Sequence, residues 1–402
     1  MKSPSLYSRL LVMASSLWLV ACAQLAPVHA DAGRRVGSLR FLGEQRIALN
    51  QPFRDTIIGG LSGIDYDAAT DTWVAQSDDR SEINPARFYV LRLQYDLSGF
   101  HRLAVEDVRY FRQPDGSLYP GQAERGKRAG DIPDLESIRV DPRDGSIWYA
   151  SEGSRRLGMS PFVRRADRNG NFVAHFQVGS MFDIHPGQPL GSRDNLSFEG
   201  LGFSADGRDL WLGMEAPLYQ DGESASLKQG APVRISRYSR DGVMLAQYAY
   251  MLDPIRFEAG GHYADNGLSK ILAVDDQRLL VLERSGVQGS DGVFSFHIRL
   301  YEMNVVGASD IRQVASLKTT AAIALASKRL VLDFDTLGLD RVDNLEGVSW
   351  GPKLANGHDS LVFISDNNFL PSQVTQVLVF EVLPPSAPAR VEPVAPSRPR
   401  VW

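Results

Sequence analysis

Five segments of this 402-residue chain share one strand–turn–strand grammar, and that repetition constrains the fold more than any other feature. They run from Leu61-Ser-Gly-Ile to Asp78, Leu135-Glu-Ser-Ile to Glu152, Phe198-Glu-Gly-Leu to Glu215, Leu268-Ser-Lys-Ile to Glu283 and Leu345-Glu-Gly-Val to Asp366. Their starts are 74, 63, 70 and 77 residues apart. Each opens with a short apolar strand and closes with one rich in Trp, Val, Leu or Ile. Turn formers such as Asp141-Pro-Arg-Asp-Gly145 and Ala205-Asp-Gly207 lie between them. Alternating outer strands often follow, as in Arg87-Phe-Tyr-Val-Leu-Arg-Leu-Gln-Tyr95. Repeated multi-strand units without helical periods predict an all-β protein, a β-propeller of four-stranded antiparallel blades around a central channel. Five units are counted, and the long gaps leave room for a sixth, degenerate blade. The opening strand near Val36–Leu49 and the last near Val374–Val382 are expected to close the ring together.

Composition narrows the function. The net charge of −5 argues against a nucleic-acid partner held by bulk electrostatics. The single cysteine excludes an internal disulfide, and no two of the seven histidines stand at i, i+4, so a His-rich zinc site is poorly supported.

The ends read differently from the body. Lys2 and Arg9 precede an apolar run, Leu10 to Ala21, of signal-peptide length. It ends in Leu19-Val-Ala-Cys22, which resembles the bacterial lipobox. Residues 1–21 are therefore expected to be a lipoprotein signal peptide, Cys22 the lipidated residue and 22–35 a linker to a domain over 36–383. That reading implies a periplasm-facing lipoprotein of the cell envelope, held at the outer membrane by its lipid anchor. Cleavage after Val28-His-Ala30 is the alternative. Residues 384–402 carry six prolines and no apolar period, which predicts an extended, disordered tail.

The chemical signal is acidic. Ser62, Glu136, Glu199, Ser269 and Glu346 are the second residues of the first strands, and Asp78, Glu152, Glu215, Glu283 and Asp366 end the second strands. In an antiparallel hairpin these positions lie side by side, so all ten should crowd one mouth of the channel. Eight of the ten are carboxylates, which must be protonated, paired or bound to a cation. Asn195, Asn266 and Asn344 stand nearby, and such oxygen donors suit Ca²⁺. The expected metal ligands are Glu136, Asn195, Glu199, Asn266, Asn344, Glu346 and Asp366. The competing reading is plain ion pairing with Arg80, Arg155, Arg156, Lys270 and Arg284.

Leu135-Glu-Ser-Ile, Asn195-Leu-Ser-Phe-Glu-Gly-Leu, Asn266-Gly-Leu-Ser and Asp343-Asn-Leu-Glu-Gly-Val with Ser365-Asp-Asn367 resemble the phytase-like family called esterase-like activity of phytase. The resemblance runs from near Leu39 to Val382. It implies an exported propeller distantly related to calcium-dependent phytases and lactonases. Carried residue by residue, it marks Glu136, Asn195, Glu199, Asn266, Asn344, Glu346, Asp366 and Asn367 as channel residues. The Asp-Asp-Pro-Ala signature of true propeller phytases is missing.

Two functions remain. One is a calcium-dependent hydrolase of a small-molecule ester or phosphoester, a monomer in which Glu199 or His262 takes a proton and Arg284, Arg80 or Arg155 stabilises the oxyanion. The other is a non-catalytic envelope propeller that binds a partner or cell-wall component, with structural calcium. Gly347-Val-Ser-Trp-Gly351 matches a nucleophile-elbow pattern but runs along a strand with no helical period after it, which argues against a nucleophilic Ser349.

Overall fold

In the computed structural model, which describes residues 33–127, 129–319 and 322–385, the repeated hairpins become five four-stranded antiparallel sheets in a ring. The expected signal peptide, Cys22 and residues 386–402 of the tail lie outside the described residues. Strand β1 (Ser38–Ile47) comes first, followed by a two-stranded ribbon, β2 (Pro52–Phe53) and β3 (Thr56–Ile57). The first blade contains β4 (Leu61–Asp67), β5 (Thr72–Ser77), β6 (Arg87–Asp96) and β7 (Gly99–Tyr110). The second contains β8 (Leu135–Val140), β9 (Ile147–Ser151), β10 (Phe162–Ala166) and β11 (Phe172–Phe176). The third contains β12 (Phe198–Phe203), β13 (Asp209–Met214), β14 (Pro232–Ser239) and β15 (Met244–Met251). The fourth contains β16 (Gly267–Ala273), β17 (Arg278–Gln288), β18 (Phe294–Asn304) and β19 (Ser327–Asp333). The last is built from β20 (Leu345–Trp350), β21 (Ser360–Ser365), β22 (Thr375–Leu383) and the returning β1. Among the described residues, the long gaps hold loops and three short 3₁₀ turns rather than a sixth blade.

The ring closes as the sequence suggests. β1 pairs antiparallel with β22 from Ser38 opposite Leu383 to Ile47 opposite Thr375. This covers an edge that would otherwise be free to pair with another chain. Inside the blades, turn chemistry sets the hairpins. Gly145 lies at φ 71° and donates to the Asp141 carbonyl (2.8 Å), and Gly207 lies at φ 65° and donates to Ser204 (2.8 Å). Both need the left-handed conformation that glycine adopts without a Cβ penalty.

The apolar cores lie between neighbouring blades. Trp73 of the first blade packs with Val362 and Ile364 of the last. Val74 and Phe88 meet Ile138 and Tyr149, and Trp148 joins Leu201 and Tyr238. Trp211 belongs with Ile271 and Val281, while Leu272 and Leu282 face Val348 and Phe363. No blade buries its faces alone, so the ring is the cooperative unit.

At the axis, the five inner strands β4, β8, β12, β16 and β20 meet around one side chain. Arg139 of β8 is 4% exposed. Its Nε donates to the Leu201 carbonyl (2.7 Å), and its Nη1 donates to Ile64 (2.9 Å) and Val348 (3.0 Å). Its Nη2 donates to Ile271 (3.1 Å). One guanidinium thus binds a backbone carbonyl from each of the other four blades. Asp65 balances its charge (3.3 Å) and also accepts from Val140 N and from the Ser349 hydroxyl (2.7 Å). Ser349 is therefore spent as a donor inside the axis.

Replacing Arg139 with Met strips four carbonyls of their donor and leaves Asp65 buried without its counter-charge. A loss of about 3–5 kcal/mol is expected, the range for breaking one side of a buried pair. Urea denaturation of Arg139→Met should show it, with partial recovery in the Arg139→Met, Asp65→Asn double variant. An unchanged midpoint in the single variant would refute the role.

Candidate metal and substrate site in the channel mouth

The mouth is built by one irregularity repeated five times. In every inner strand the pairing slips at the second residue: between Leu61 and Gly63, Leu135 and Ser137, Phe198 and Gly200, Leu268 and Lys270, and Leu345 and Gly347. The residues in the slip are Ser62, Glu136, Glu199, Ser269 and Glu346. A β-bulge leaves its extra residue unpaired and re-aims its side chain. Opposite the first residue of each inner strand lie Ser77, Ser151, Met214, Glu283 and Ser365. The next residue enters the mouth: Asp78, Glu152, Glu215, Arg284 and Asp366.

The fourth unit thus departs from expectation by one residue. Glu283 pairs with Leu268 and turns away from the mouth. It accepts from the Tyr250 hydroxyl (2.6 Å), Lys328 Nζ (2.6 Å), Asp253 N (2.9 Å) and Asn266 Nδ2 (3.0 Å). Arg284 takes the place filled by an acid in the other units. Asn266 is displaced for the same reason. Gly267, not Asn266, precedes Leu268 as Asn344 precedes Leu345, and Asn266 lines a separate small pocket with Asp253 and Glu283.

Glu136, Asn195, Glu199, Arg284, Asn344, Glu346 and Asp366 come together around a cavity of about 630 Å³. His262 does not line it. It sits on an exposed loop, its backbone N–H donating to Gln288 Oε1 (3.0 Å), while its neighbours Tyr263 and Asp265 reach the cavity. Asn367 is buried as a clamp, its Oδ1 accepting from Gly60 N and Phe369 N (both 3.1 Å). Sequence reasoning missed Asp134, which also lines the mouth. It precedes Leu135 as Asn344 precedes Leu345, so strict alignment of the units would have found it. Arg155 is committed to loop carbonyls, among them His185 (2.6 Å) and Ser192 (3.1 Å).

Cations neutralise part of the ring. Lys270 Nζ pairs with Glu199 (2.6 Å), Arg284 Nη2 with Glu215 (2.8 Å) and Arg80 with Asp134 (2.5 Å). Arg284 Nη1 also donates to Asn344 Oδ1 (3.1 Å), and Asn344 Nδ2 donates to Glu346 (2.9 Å) and Asp366 (3.3 Å). Glu136 has no such support. It is 6% exposed, lines the cavity, and has neither a hydrogen-bond nor an ion-pair partner among the described residues. Burial pushes its carboxyl well above the usual range, and Glu199, Glu152 and Asp134 push it further. Burial and like-charged neighbours do the same to Asp78, Glu152 and Glu215. Burial raises Asp134 to about 6 against the pull of Arg80, and Glu199 to about 7 against Lys270. Burial and Glu346 raise Asp366 to about 8. Burial works against the charge on Arg284, but Glu346, Asp265, Glu215 and Glu199 outweigh it and raise its pKa.

Two carboxylate triads stand ready for a cation. Asp134, Glu136 and Glu152 form one, and Glu152, Glu199 and Glu215 the other; each triad offers oxygens within 4.8 Å of one another. Glu152 belongs to both. Buried hard oxygen donors in this density, one of them unpartnered, fit a divalent ion such as Ca²⁺.

With this geometry in hand, comparison with known proteins is informative. The family model for phytase-like proteins, described as esterase-like activity of phytase, matches residues 56–369. No curated protein matches the chain. Among solved structures, the tail fiber of Staphylococcus aureus phage P68 is similar at 11% identity and TM-score 0.38, over 85% of this chain and 53% of that one. This chain therefore spans about half of that protein's length. The catalytic domain of Coprinopsis cinerea GH62 α-L-arabinofuranosidase is similar at 13% identity and TM-score 0.40, covering 87% and 97%. The Pseudomonas aeruginosa periplasmic gluconolactonase PpgL gives 13% and 0.32, covering 87% and 96%.

The raised carboxyls predict a pH dependence. Between about pH 4, where unfolded carboxyls titrate, and about 8, where Asp366 titrates, the folded chelated protein holds more protons than the unfolded chain. That stability is fully present below pH 4 and is lost as pH rises towards 8. Melting of chelated protein at pH 5, 6, 7 and 8 should show a steadily falling Tm, and saturating Ca²⁺ should flatten the trend. A Tm that climbs over this range without metal would contradict it.

Proposed function

The chain belongs to the phytase-like family described as esterase-like activity of phytase, and from that premise we infer that it is an exported, calcium-dependent hydrolase of phosphate or carboxyl esters. The observation that carries this reading is the pair of carboxylate triads sharing Glu152, with Glu136 buried and unpartnered beside the cavity. Asp134, Glu136 and Glu152 are the residues that would hold the metal, which leaves Glu199 to carry a proton. When bound, Ca²⁺ supplies positive charge that polarises an ester oxygen and makes a water more acidic.

The chain's own residues do the rest. Arg284 offers an Nε that is buried without a hydrogen-bond partner, a preorganised donor for the oxygen where charge develops. Glu199, raised by burial to about 7 against the pull of Lys270, is suited to accept a proton and return it to the leaving group. His262 stands outside the cavity, so Glu199 takes this role. The loop residues Asn368 and Phe369, at φ 45° and 53°, are fixed in the left-handed region beside Asp366, a strained arrangement of the kind found at binding sites.

The second reading, a binding propeller with structural calcium, draws on the three ion pairs that already neutralise Asp134, Glu199 and Glu215. In both readings the protein is a monomeric lipoprotein, anchored through Cys22 and facing the periplasm from the outer membrane. Cys22→Ser should release it from the membrane fraction or leave it unprocessed, and unchanged fractionation and mass would refute the anchor.

Calcium should stabilise the fold by mass action, by about 2.7 kcal/mol at 100 times Kd. Glu152→Gln should abolish most of that gain, because it touches both triads, whereas Glu44→Gln on the outer strand β1 should preserve it. The comparison is thermal melting with Ca²⁺ and with chelator. A panel of carboxyl and phosphate esters, run with the same two additions, separates catalysis from binding. If chelated and calcium-loaded protein melt together, the metal reading fails.

A further inference from the structure

Beside the acids assigned to the metal, the mouth holds a second group of residues, where the first blade meets the last. Asp78 follows β5 and lines the cavity, and its carboxyl has neither a hydrogen-bond nor an ion-pair partner among the described residues. Gln373 lies in the loop before β22, is 5% exposed and also lines the cavity. Its Oε1 accepts from Asn368 Nδ2 (2.9 Å), and its Nε2 meets no acceptor among the described residues. An acceptor and a deeply buried donor thus face one cavity with their hydrogen bonds unmade.

An aromatic face adjoins them. A Cβ on Gly60 would stand 2.1 Å from Asp78 Oδ1 and 2.9 Å from the Phe369 ring, so carboxyl and ring lie side by side over that glycine. Phe369 is fixed there. Its N–H donates to Asn367 Oδ1 (3.1 Å), and a Cβ on Gly59 would stand 2.5 Å from its ring. The rim beside it is mixed. Ile83, 49% exposed, follows the exposed Glu82, and Leu370, 45% exposed, stands two residues after the exposed Asn368. Along the axis the Arg139 guanidinium fills the centre of the ring, so a ligand enters and leaves by this mouth. The cavity of about 630 Å³ falls in the ~300–1,000 Å³ range of small-molecule sites.

The unmade bonds select the chemistry. An ammonium group only donates, so it leaves the Gln373 N–H without a partner. A phosphate group mainly accepts, and a polyphosphate needs several uncommitted cationic donors. Here Arg80 is taken by Asp134, and Arg284 keeps one Nε without a hydrogen bond, with Glu346 at 3.8 Å. A purely apolar group leaves both Asp78 and Gln373 desolvated and unpaired. A hydroxyl accepts from the amide and bonds to the carboxyl whether or not that carboxyl carries a charge. A sugar ring joins several hydroxyls to C–H faces that lie flat on an aromatic ring, which is the alternation this wall presents.

We infer that the mouth takes an uncharged sugar unit, its ring face on Phe369 and its hydroxyls on Asp78 and Gln373. This deepens the hydrolase reading and rests on it for the reaction: the ester cleaved is one whose alcohol is a sugar, whichever linkage is cut. Glu136 is left to the metal and Glu199 to the proton.

The test is calorimetry of calcium-loaded full-length protein with the methyl pyranosides of glucose, galactose, mannose and N-acetylglucosamine, beside cyclohexanol and inositol hexakisphosphate. At least one pyranoside should bind saturably and at least ~10-fold more tightly than cyclohexanol, which has a ring of the same size and a single hydroxyl. Phe369→Ala should weaken that binding ~3–10-fold, and Phe369→Tyr, which keeps the ring face, should preserve it. Gln373→Leu, of similar volume, should weaken it ~10-fold. Val243→Ala, an exposed apolar residue that does not line the cavity, should leave it unchanged. Three results overturn the inference: no pyranoside binds, binding is unchanged in both Phe369→Ala and Gln373→Leu, or cyclohexanol or the hexakisphosphate binds more tightly than every pyranoside. The ester panel with calcium and with chelator judges the hydrolase reading separately. Turnover without sugar binding leaves that reading standing and sinks the sugar, and sugar binding without turnover upholds the sugar and sinks the hydrolase.

Discussion

Arg139 is the group on which the architecture converges. A propeller blade contacts only its neighbours, so the axis is where a ring of five can slide or open. Here one planar guanidinium reaches carbonyls from all four other inner strands. Its five donors in a fixed fork impose directions as well as attraction. The arrangement is costly in isolation. Burial lowers the Arg139 pKa and raises that of Asp65, so each charge is costly to bury, while each favours the charged form of the other. Four carbonyl dipoles and one carboxylate offset the desolvation, and only a closed ring supplies all five. Ring closure and charge satisfaction are thus one event.

The mouth follows from that closure. Because the inner strands are held in register about Arg139, their bulges fall at matching positions, and the re-aimed side chains meet in one cavity. The meeting of so many acids works against folding. Lys270, Arg284 and Arg80 relieve three of them, while Glu136 and Asp78 remain without partners among the described residues. A sequence under selection for stability alone would replace such groups with apolar or amide residues. Their position in the cavity, and not on the rim of a blade, places the cost where a ligand can repay it.

Much of this was legible in the sequence, for identifiable reasons. The hairpins announce themselves by period and turn chemistry, and ring closure by an unpaired strand at each end of the chain. Glu136, Glu199 and Glu346 stand out because a bulge repeated at one strand position leaves one residue type repeated in the sequence. The misplacement of Glu283 and Asn266 has an equally plain cause. The fourth hairpin pairs Leu268 with the residue 15 positions on, where the first three units have a separation of 16. A one-residue offset in a strand sends a side chain to the other face. Arg139 was invisible for another reason. Arg139 binds backbone carbonyls, which have no residue-type signature.

That offset is also what turns a near-symmetric ring into a site. Five equivalent positions filled by five acids would make a shell of equal charge with no direction. In four units the position after the second inner strand is Asp78, Glu152, Glu215 or Asp366, and in the fourth it is Arg284. The arginine draws Glu215 and Asn344 to itself, leaving the carboxylates around Glu136 and Glu152 as the pole of greatest unbalanced charge. A cation is attracted to that pole, and an oxyanion to the Arg284 Nε, which has Glu346 at 3.8 Å but makes no hydrogen bond. One shifted register therefore sets the polarity of the mouth.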